Sequence, residues 1–186
     1  MQPQSAYDLK DLRVAIIDDN PHMLDLGITM LRGLGVGEIL PEENGDRALA
    51  NGTLEEADIL VLDWLRQPLP CDEFMGYVRD QEASPNPFIP IILMRGFIQE
   101  FHVSNARDMG MTEFLKLPIS LSRLYERIVR VIERPRPFID APGFFGPDRR
   151  RHLDGEHDCG ERRQSQPTLV DEMKDSGPNS VFYWAG

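Results

Sequence analysis

Two short runs, residues 59–62 (Ile-Leu-Val-Leu) and 91–94 (Ile-Ile-Leu-Met), contain no polar side chain. A strand with one wet face alternates apolar and polar residues. An unbroken run instead reads as a strand buried on both faces, as inside a parallel sheet flanked by helices. Both runs are far shorter than the roughly 20 residues of a membrane span. The neighbouring pattern agrees with a layered α/β fold. Residues 12–17 read as a nearly continuous apolar strand, followed by Asn20-Pro21 as N-cap and first helical residue, then Met23, Leu26, Met30, Leu31 and Leu34 at helical spacing. A second strand is expected over 36–40, helices over 47–54, 73–81 and 97–109, and strands over 90–94 and 113–117. The last helix presents Leu121, Leu124, Tyr125, Ile128, Val131 and Ile132 on one face, with Ser120 as its cap. Five βα units imply a parallel sheet with helices on both faces, and in such sheets sites form beyond the carboxyl ends of the strands.

Charge and composition divide the chain. Residues 1–134 carry 13 basic and 22 acidic side chains, whereas 135–186 carry 7 and 9 and hold 6 Pro and 6 Gly without apolar periodicity. The expected organisation is an N-terminal extension over 1–10, one α/β domain over 11–134 and a mostly disordered tail over 135–186. The net charge of -11 gives no support to nucleic-acid coating. No basic segment followed by an apolar stretch opens the chain. Cys71 and Cys159 stand far apart without a CxxC motif, so a soluble protein of a reducing cytoplasm is expected, with no DNA or membrane partner.

Asp18 and Asp19 follow the first strand and Asp63 ends the third, so a central parallel sheet would bring three carboxylates to one crevice. Like charges that close repel unless a cation neutralises them, and hard oxygen ligands suit Mg²⁺. An aspartate beside Mg²⁺ can also act as a nucleophile toward phosphorus. The plainer alternative is that an acidic pair after a strand caps the next helix.

The fragments Ile16-Ile17-Asp18-Asp19-Asn20-Pro21, Ile59-Leu60-Val61-Leu62-Asp63-Trp64, Pro90-Ile91-Ile92-Leu93-Met94 and Phe114-Leu115-Lys116-Leu117-Pro118-Ile119-Ser120 together resemble the receiver domain of bacterial two-component response regulators. The resemblance covers about residues 11–134. It implies the flavodoxin-like (βα)₅ fold of the CheY-like superfamily, with strand order 2-1-3-4-5. It also implies that Asp63 is the phosphoacceptor, that Mg²⁺ is held by Asp18, Asp19, Asp63 and the backbone carbonyl of Leu65, and that a histidine kinase or histidine phosphotransfer protein is the donor. Output would be binding of a downstream protein through the last two helices and the strand between them, and the chain would not be an enzyme.

Two positions depart from the family pattern. Where receivers carry a Thr or Ser hydroxyl at the end of strand four, this chain has Arg95. Where they carry Lys immediately before the proline after strand five, it has Leu117, with Lys116 one residue earlier. Side chains alternate along a strand, so that displacement sends Lys116 to the opposite face unless a bulge restores it. Arg95 and Lys116 are the candidate phosphoryl contacts: Arg95 clamps the unphosphorylated Asp63 carboxylate, binds the phosphoryl group in place of the lost cation, or points into solvent. A constitutive adaptor that works without phosphorylation is therefore the alternative to a phosphorylated regulator. A small Mg²⁺-dependent phosphatase and a transcription factor fit less well, for want of a second catalytic acid and of a DNA-binding domain. In the tail, Phe144, Phe145, Arg149, Arg150 and Arg151 form an aromatic pair followed by an arginine triplet, expected to dock on a partner, to fold back on the acidic domain or to remain a solvated linker. His152, His157 and Cys159 match no zinc-ligand spacing.

Overall fold

The computed structural model describes residues 7–63, 69–96, 106–149 and 168–170. Its centre is a five-stranded parallel sheet of β1 (Arg13–Ile17), β2 (Glu38–Glu42), β3 (Ile59–Asp63), β4 (Ile91–Arg95) and β5 (Glu113–Lys116), in the order β2-β1-β3-β4-β5. This is the expected order. The interior strands β1, β3 and β4 are almost wholly buried, as their unbroken apolar runs require.

Helices cover both faces. On one side α1 (Pro21–Gly33) and α5 (Leu121–Glu133) pack Leu24, Leu31, Leu124, Ile128 and Val131 against Val14, Ile16, Val61 and Met94. On the other, α2 (Gly45–Ala50), α3 (Thr53–Glu56) and α4 (Cys71–Val78) pack Ala48, Leu54, Phe74 and Met75 against Ile17, Leu60, Leu62 and Leu93. Asn20 caps α1 by accepting from the His22 and Met23 amides at 3.0 and 3.4 Å. Ser120 caps α5 through the Arg123 amide.

The sequence pattern and the structure differ at several points. Of the expected stripe on α1, Leu26 is 42% exposed, because the helix approaches the sheet along Leu24, Gly27 and Leu31. A Cβ on Gly27 would stand 2.2 Å from Ile16 Cδ1, so any larger residue there would push the Ile16 side chain aside. Leu121 likewise opens α5 at 43% exposure. The helix expected over 47–54 is two, broken where Gly52 adopts φ 70, a left-handed conformation that stops α2 and starts α3. The helix expected over 73–81 begins and ends earlier, at Cys71 and Val78. Strand β2 runs through Pro41 instead of stopping at Leu40, which an edge strand tolerates. Its bonds show why: Glu38 N–H donates to Leu12 and Asp18 N–H to the Glu42 carbonyl, so residues 38, 40 and 42 face β1 and Pro41 faces outward. Of the helix expected over 97–109, residues 106–108 are helical and 97–105 lie outside the described residues.

The largest difference lies past Arg134, the expected end of the domain. Residues 138–149 do not belong to a featureless tail. Strands β6 (Phe138–Ala141) and β7 (Phe144–Pro147) form an antiparallel hairpin, and β8 (Thr168–Val170) pairs with β6 on its other side. Ile139 is buried, and Phe138 and Phe145 pack their rings against Phe88 with centroids 5.0 and 5.3 Å away. Helical periodicity was the wrong ruler for a hairpin of four-residue strands, and the residues that bury it, Phe88 and Arg79, sit far away in sequence. Among the described residues no helix is long and apolar enough to cross a membrane.

Candidate phosphoacceptor and metal site

Asp18 leaves β1 at its carboxyl end, and Asp63 is the last residue of the neighbouring β3. The register pairs Ile17 with Leu62, which sets the next residues, Asp18 and Asp63, side by side. Asp19 completes the group: one carboxylate oxygen from each of Asp18, Asp19 and Asp63 lies within 4.8 Å of the others. The three residues singled out from sequence thus share one crevice.

Their environments differ. Asp18 is buried, Asp63 half-buried and Asp19 exposed. Burial raises the Asp18 carboxyl from 3.8 to about 6, against the lowering effect of the Asn20 amide, and the negative charges of Asp63 and Asp19 push in the same direction as burial. The Asn20 N–H donates to Asp18 Oδ1 at 2.9 Å, and the Asp18 N–H donates to the Glu42 carbonyl at 3.2 Å. Asn20 therefore does two things, orienting Asp18 with its amide and starting α1 with its side chain. Glu42 was not singled out from the sequence. Its own carboxylate is committed elsewhere, accepting from Asn51 Nδ2 and Thr53 Oγ1, both at 2.9 Å. No sequence signal separates such a buried structural acid from a ligand.

The donor set fits Mg²⁺. Its three carboxylates offer hard oxygen ligands that converge within 4.8 Å, and the remaining positions on such an ion are usually taken by water and phosphate oxygens. A buried carboxyl with a raised pKa is also the kind of group that a divalent cation would return to its ionised form. Leu65, the expected carbonyl ligand, and Trp64 lie outside the described residues.

The two departures from the receiver pattern occupy neighbouring strands. Arg95 is half-buried at the end of β4, its Nη1 buried, and its carbonyl accepts from the Leu117 N–H at 2.9 Å. The register sets Met94, not Arg95, opposite Asp63, and sets Arg95 opposite Lys116. It runs from Ile92–Glu113 to Arg95–Lys116 without interruption, so no bulge returns Lys116 to the face of Leu115, and Lys116 is exposed. Leu117 instead lies beside β4's end, where a Cβ on Gly96 would be 3.7 Å from Leu117 Cδ1. The peptide bond between Leu117 and Pro118 is cis.

Of the three places expected for the tail motif, its described residues take the one folded back on the domain. Phe145 belongs to the ring cluster with Phe88 and Phe138. Arg149 pairs with Asp108, and its guanidinium carbon lies 4.4 Å from the Phe144 ring centroid. These residues are engaged within the chain rather than displayed as a free linear motif, because their aromatic surface is covered locally. Arg150 and Arg151 lie outside the described residues. The hairpin does not cover the acidic site either: it packs beside Phe88, Gly110 and Glu113, at the amino ends of β4 and β5.

No protein-family model matches the chain. It is 21% identical over 125 residues to chemotaxis protein CheY-3 of Vibrio cholerae, covering 67% of this chain and 95% of that protein. It is 23% identical over 123 residues to CheY of Pseudomonas aeruginosa, covering 66% and 98%. Among solved structures, V. cholerae CheY4 superposes with a TM-score of 0.58 at 22% identity, over 64% of this chain and 98% of that one. The Mg²⁺-complexed receiver domain of the histidine kinase CKI1 from Arabidopsis thaliana gives 0.58 at 22%, over 68% and 95%. Relatives and structural neighbours of this chain are thus CheY-like response-regulator receiver domains, and its five-stranded parallel sheet with flanking helices has their fold.

Proposed function

We propose that this protein is a response regulator of a two-component phosphorelay, which accepts a phosphoryl group on Asp63 and signals through protein–protein contacts. The relatives support the two-component role. The observation that carries the finer reading is the convergence of Asp18, Asp19 and Asp63 within 4.8 Å at the carboxyl ends of central strands. In the proposed step an Asp63 carboxylate oxygen attacks phosphorus, the P–N bond to the histidine of a kinase or phosphotransfer protein breaks, and the imidazole leaves. Mg²⁺, when bound, would offset negative charge on the transferred group. Asp18 and Asp19 would hold it, and the Asn20 amide keeps Asp18 oriented.

The second reading, a constitutive adaptor, is favoured by one specific observation. An aliphatic side chain, Leu117, lies where the resemblance implies an ammonium, and Lys116 is exposed at the other side of the strand. A phosphoryl group shifts a conformational equilibrium only through contacts that differ between the states.

The two readings separate by Trp64 fluorescence in the full chain carrying Trp184→Phe. It would be titrated with Mg²⁺ and then with Mg²⁺ plus beryllofluoride, beside Asp63→Asn. A saturable change that Asp63→Asn abolishes is the expected result. Its absence, with no phosphoryl adduct by mass spectrometry after exposure to a small phosphodonor, would leave the adaptor. Arg95→Thr tests the role of Arg95. If the guanidinium contacts the phosphoryl group, beryllofluoride affinity should fall about tenfold, a charge-assisted bond's worth; unchanged affinity would leave Arg95 no part in holding the phosphoryl group.

A further inference from the structure

The β6–β7 hairpin is fastened to the segments that lead into β4 and β5, and the second of these, around 108–110, ends the connection that begins beside the acidic site. Arg149 pairs with Asp108. Gly146 lies against Gly110: a Cβ on Gly146 would stand 3.0 Å from Gly110 Cα and 3.1 Å from Phe144 Cζ. Gly110, at φ 87, is itself pressed on its other side by Arg79, whose Nε donates to the Gly110 carbonyl at 3.0 Å and whose Nη1 donates to the Pro87 carbonyl at 2.6 Å. The Phe138 ring covers that guanidinium, 5.2 Å from its central carbon. Arg136 reaches Glu113, the first residue of β5, at 3.6 Å and donates to the Asp148 carbonyl at 3.2 Å.

Arg79, Gly110 and Gly146 thus form a stack with no slack. Packed contacts of this kind do not stretch: they hold or they separate, so a displacement of about an ångström in the 108–110 turn would be incompatible with the docked hairpin. The turn is joined through residues 96–107 to the carboxyl end of β4, where Arg95 and Gly96 stand. Strand β5 ties the same two ends together directly, from Glu113 under the hairpin to Lys116 paired with Arg95.

We propose that docking of the 138–149 hairpin on the 108–110 turn is thermodynamically linked to the ligand state of the Asp18–Asp19–Asp63 site. The hairpin is an intramolecular reader placed at the opposite end of the sheet from the event it reads. The inference rests on the reading of that site as a phosphoacceptor. Linkage is reciprocal: if filling the site loosens the hairpin, a variant whose hairpin is largely undocked must fill the site more tightly, by up to the factor by which ligand loosens the hairpin.

The test uses the full chain with Trp184→Phe, alone and with Mg²⁺ and beryllofluoride, and reads two signals together: Trp64 fluorescence for the site, and amide hydrogen exchange of residues 138–147 for the hairpin. A change in hairpin exchange of about fivefold or more on filling the site is expected, at the low end of ordinary coupling. Gly146→Val, which crowds the Gly110 backbone at 3.0 Å, should bring hairpin exchange without ligand close to that of an undocked strand and change beryllofluoride affinity by up to the factor by which ligand changes hairpin exchange in the wild type. The affinity should rise if ligand loosens the wild-type hairpin and fall if ligand protects it. Arg149→Ala, a change at an exposed residue, gives the same readout should Gly146→Val not fold. A Trp64 response with unchanged hairpin exchange would overturn the linkage and leave the phosphoacceptor reading standing. So would a largely undocked hairpin with unchanged affinity. No Trp64 response would remove the phosphoacceptor reading, and the linkage with it.

Discussion

Glu113→Ala should destabilise the protein by about 3 kcal/mol, the cost of removing one partner from a largely buried charge group. Glu113 is only 5% exposed, and three guanidinium groups converge on it: Arg127 at 3.1 Å, Arg136 at 3.6 Å and Arg130 at 4.0 Å. Truncating the carboxylate leaves Arg127 and Arg136 crowded and partly desolvated, each without the carboxylate that faces it. For a chain of this length the midpoint of thermal unfolding should fall by about 10 °C. Much of the loss should fall on the hairpin, because Arg136 is the residue that bridges β5 to the Asp148 carbonyl. Urea denaturation of Glu113→Ala, Arg136→Met and the double variant measures this directly. A coupling energy between the two of about 1 kcal/mol or more is expected for groups in contact. Additive losses would mean that the hairpin is held by its aromatic cluster alone.

Asp18→Asn should act in the opposite direction. The folded carboxyl of Asp18 titrates at about 6, above its ordinary 3.8, so the folded state holds this proton more tightly than the unfolded state. Ionised Asp18 is therefore a burden. The penalty is absent below pH 4, grows as pH rises and is complete above pH 6; the difference corresponds to about 3 kcal/mol. Without divalent metal, Asp18→Asn should be more stable than the wild type by about 2 kcal/mol at pH 7.5, and no more stable at pH 4. The Asn side-chain oxygen can still accept from the Asn20 amide, while its new NH₂ group offsets part of the gain. Urea denaturation at both pH values with chelator present is the measurement. Wild type at least as stable as Asp18→Asn at pH 7.5 would refute it. Added Mg²⁺ should raise the wild-type midpoint at pH 7.5 and leave the variant nearly unmoved, since binding stabilises only a state that binds.

The legibility of this fold was uneven, and the physics explains where. The runs at 59–62 and 91–94 announced interior strands because burial on both faces leaves no room for a polar residue, while the order β2-β1-β3-β4-β5 came with the resemblance to receiver domains. The three aspartates were legible because a parallel sheet sends the residue after each strand to the same edge. By contrast, the buried face of α1 is centred on Gly27, a residue with no side chain, over which the Ile16 side chain packs. No count of apolar residues on α1 reveals the 2.2 Å that a Cβ would leave to Ile16. The helix expected over 47–54 failed at Asn51-Gly52, a pair whose turn chemistry competes with helical continuation. The hairpin was hidden for a deeper reason. Its partners are Arg79, Phe88, Asp108, Gly110 and Glu113, each of which reads as an ordinary surface or loop residue until the chain is folded. At the site, the missing hydroxyl and the displaced lysine were legible as substitutions. Their consequence depended on the register of β4 and β5, which places Lys116 beside Arg95.

Pro41 carries a consequence for the protein in a crowded solution. An open parallel sheet ends in strands whose outer backbone groups can recruit a strand from another molecule. Along β2 the outward positions are Ile39 and Pro41, and only Ile39 has an N–H to offer. A visiting strand would meet one donor where a ladder needs two, opposite a rigid ring. The proline costs the native sheet no hydrogen bond, because it faces away from β1, yet it makes this margin a poor template for sheet growth between molecules.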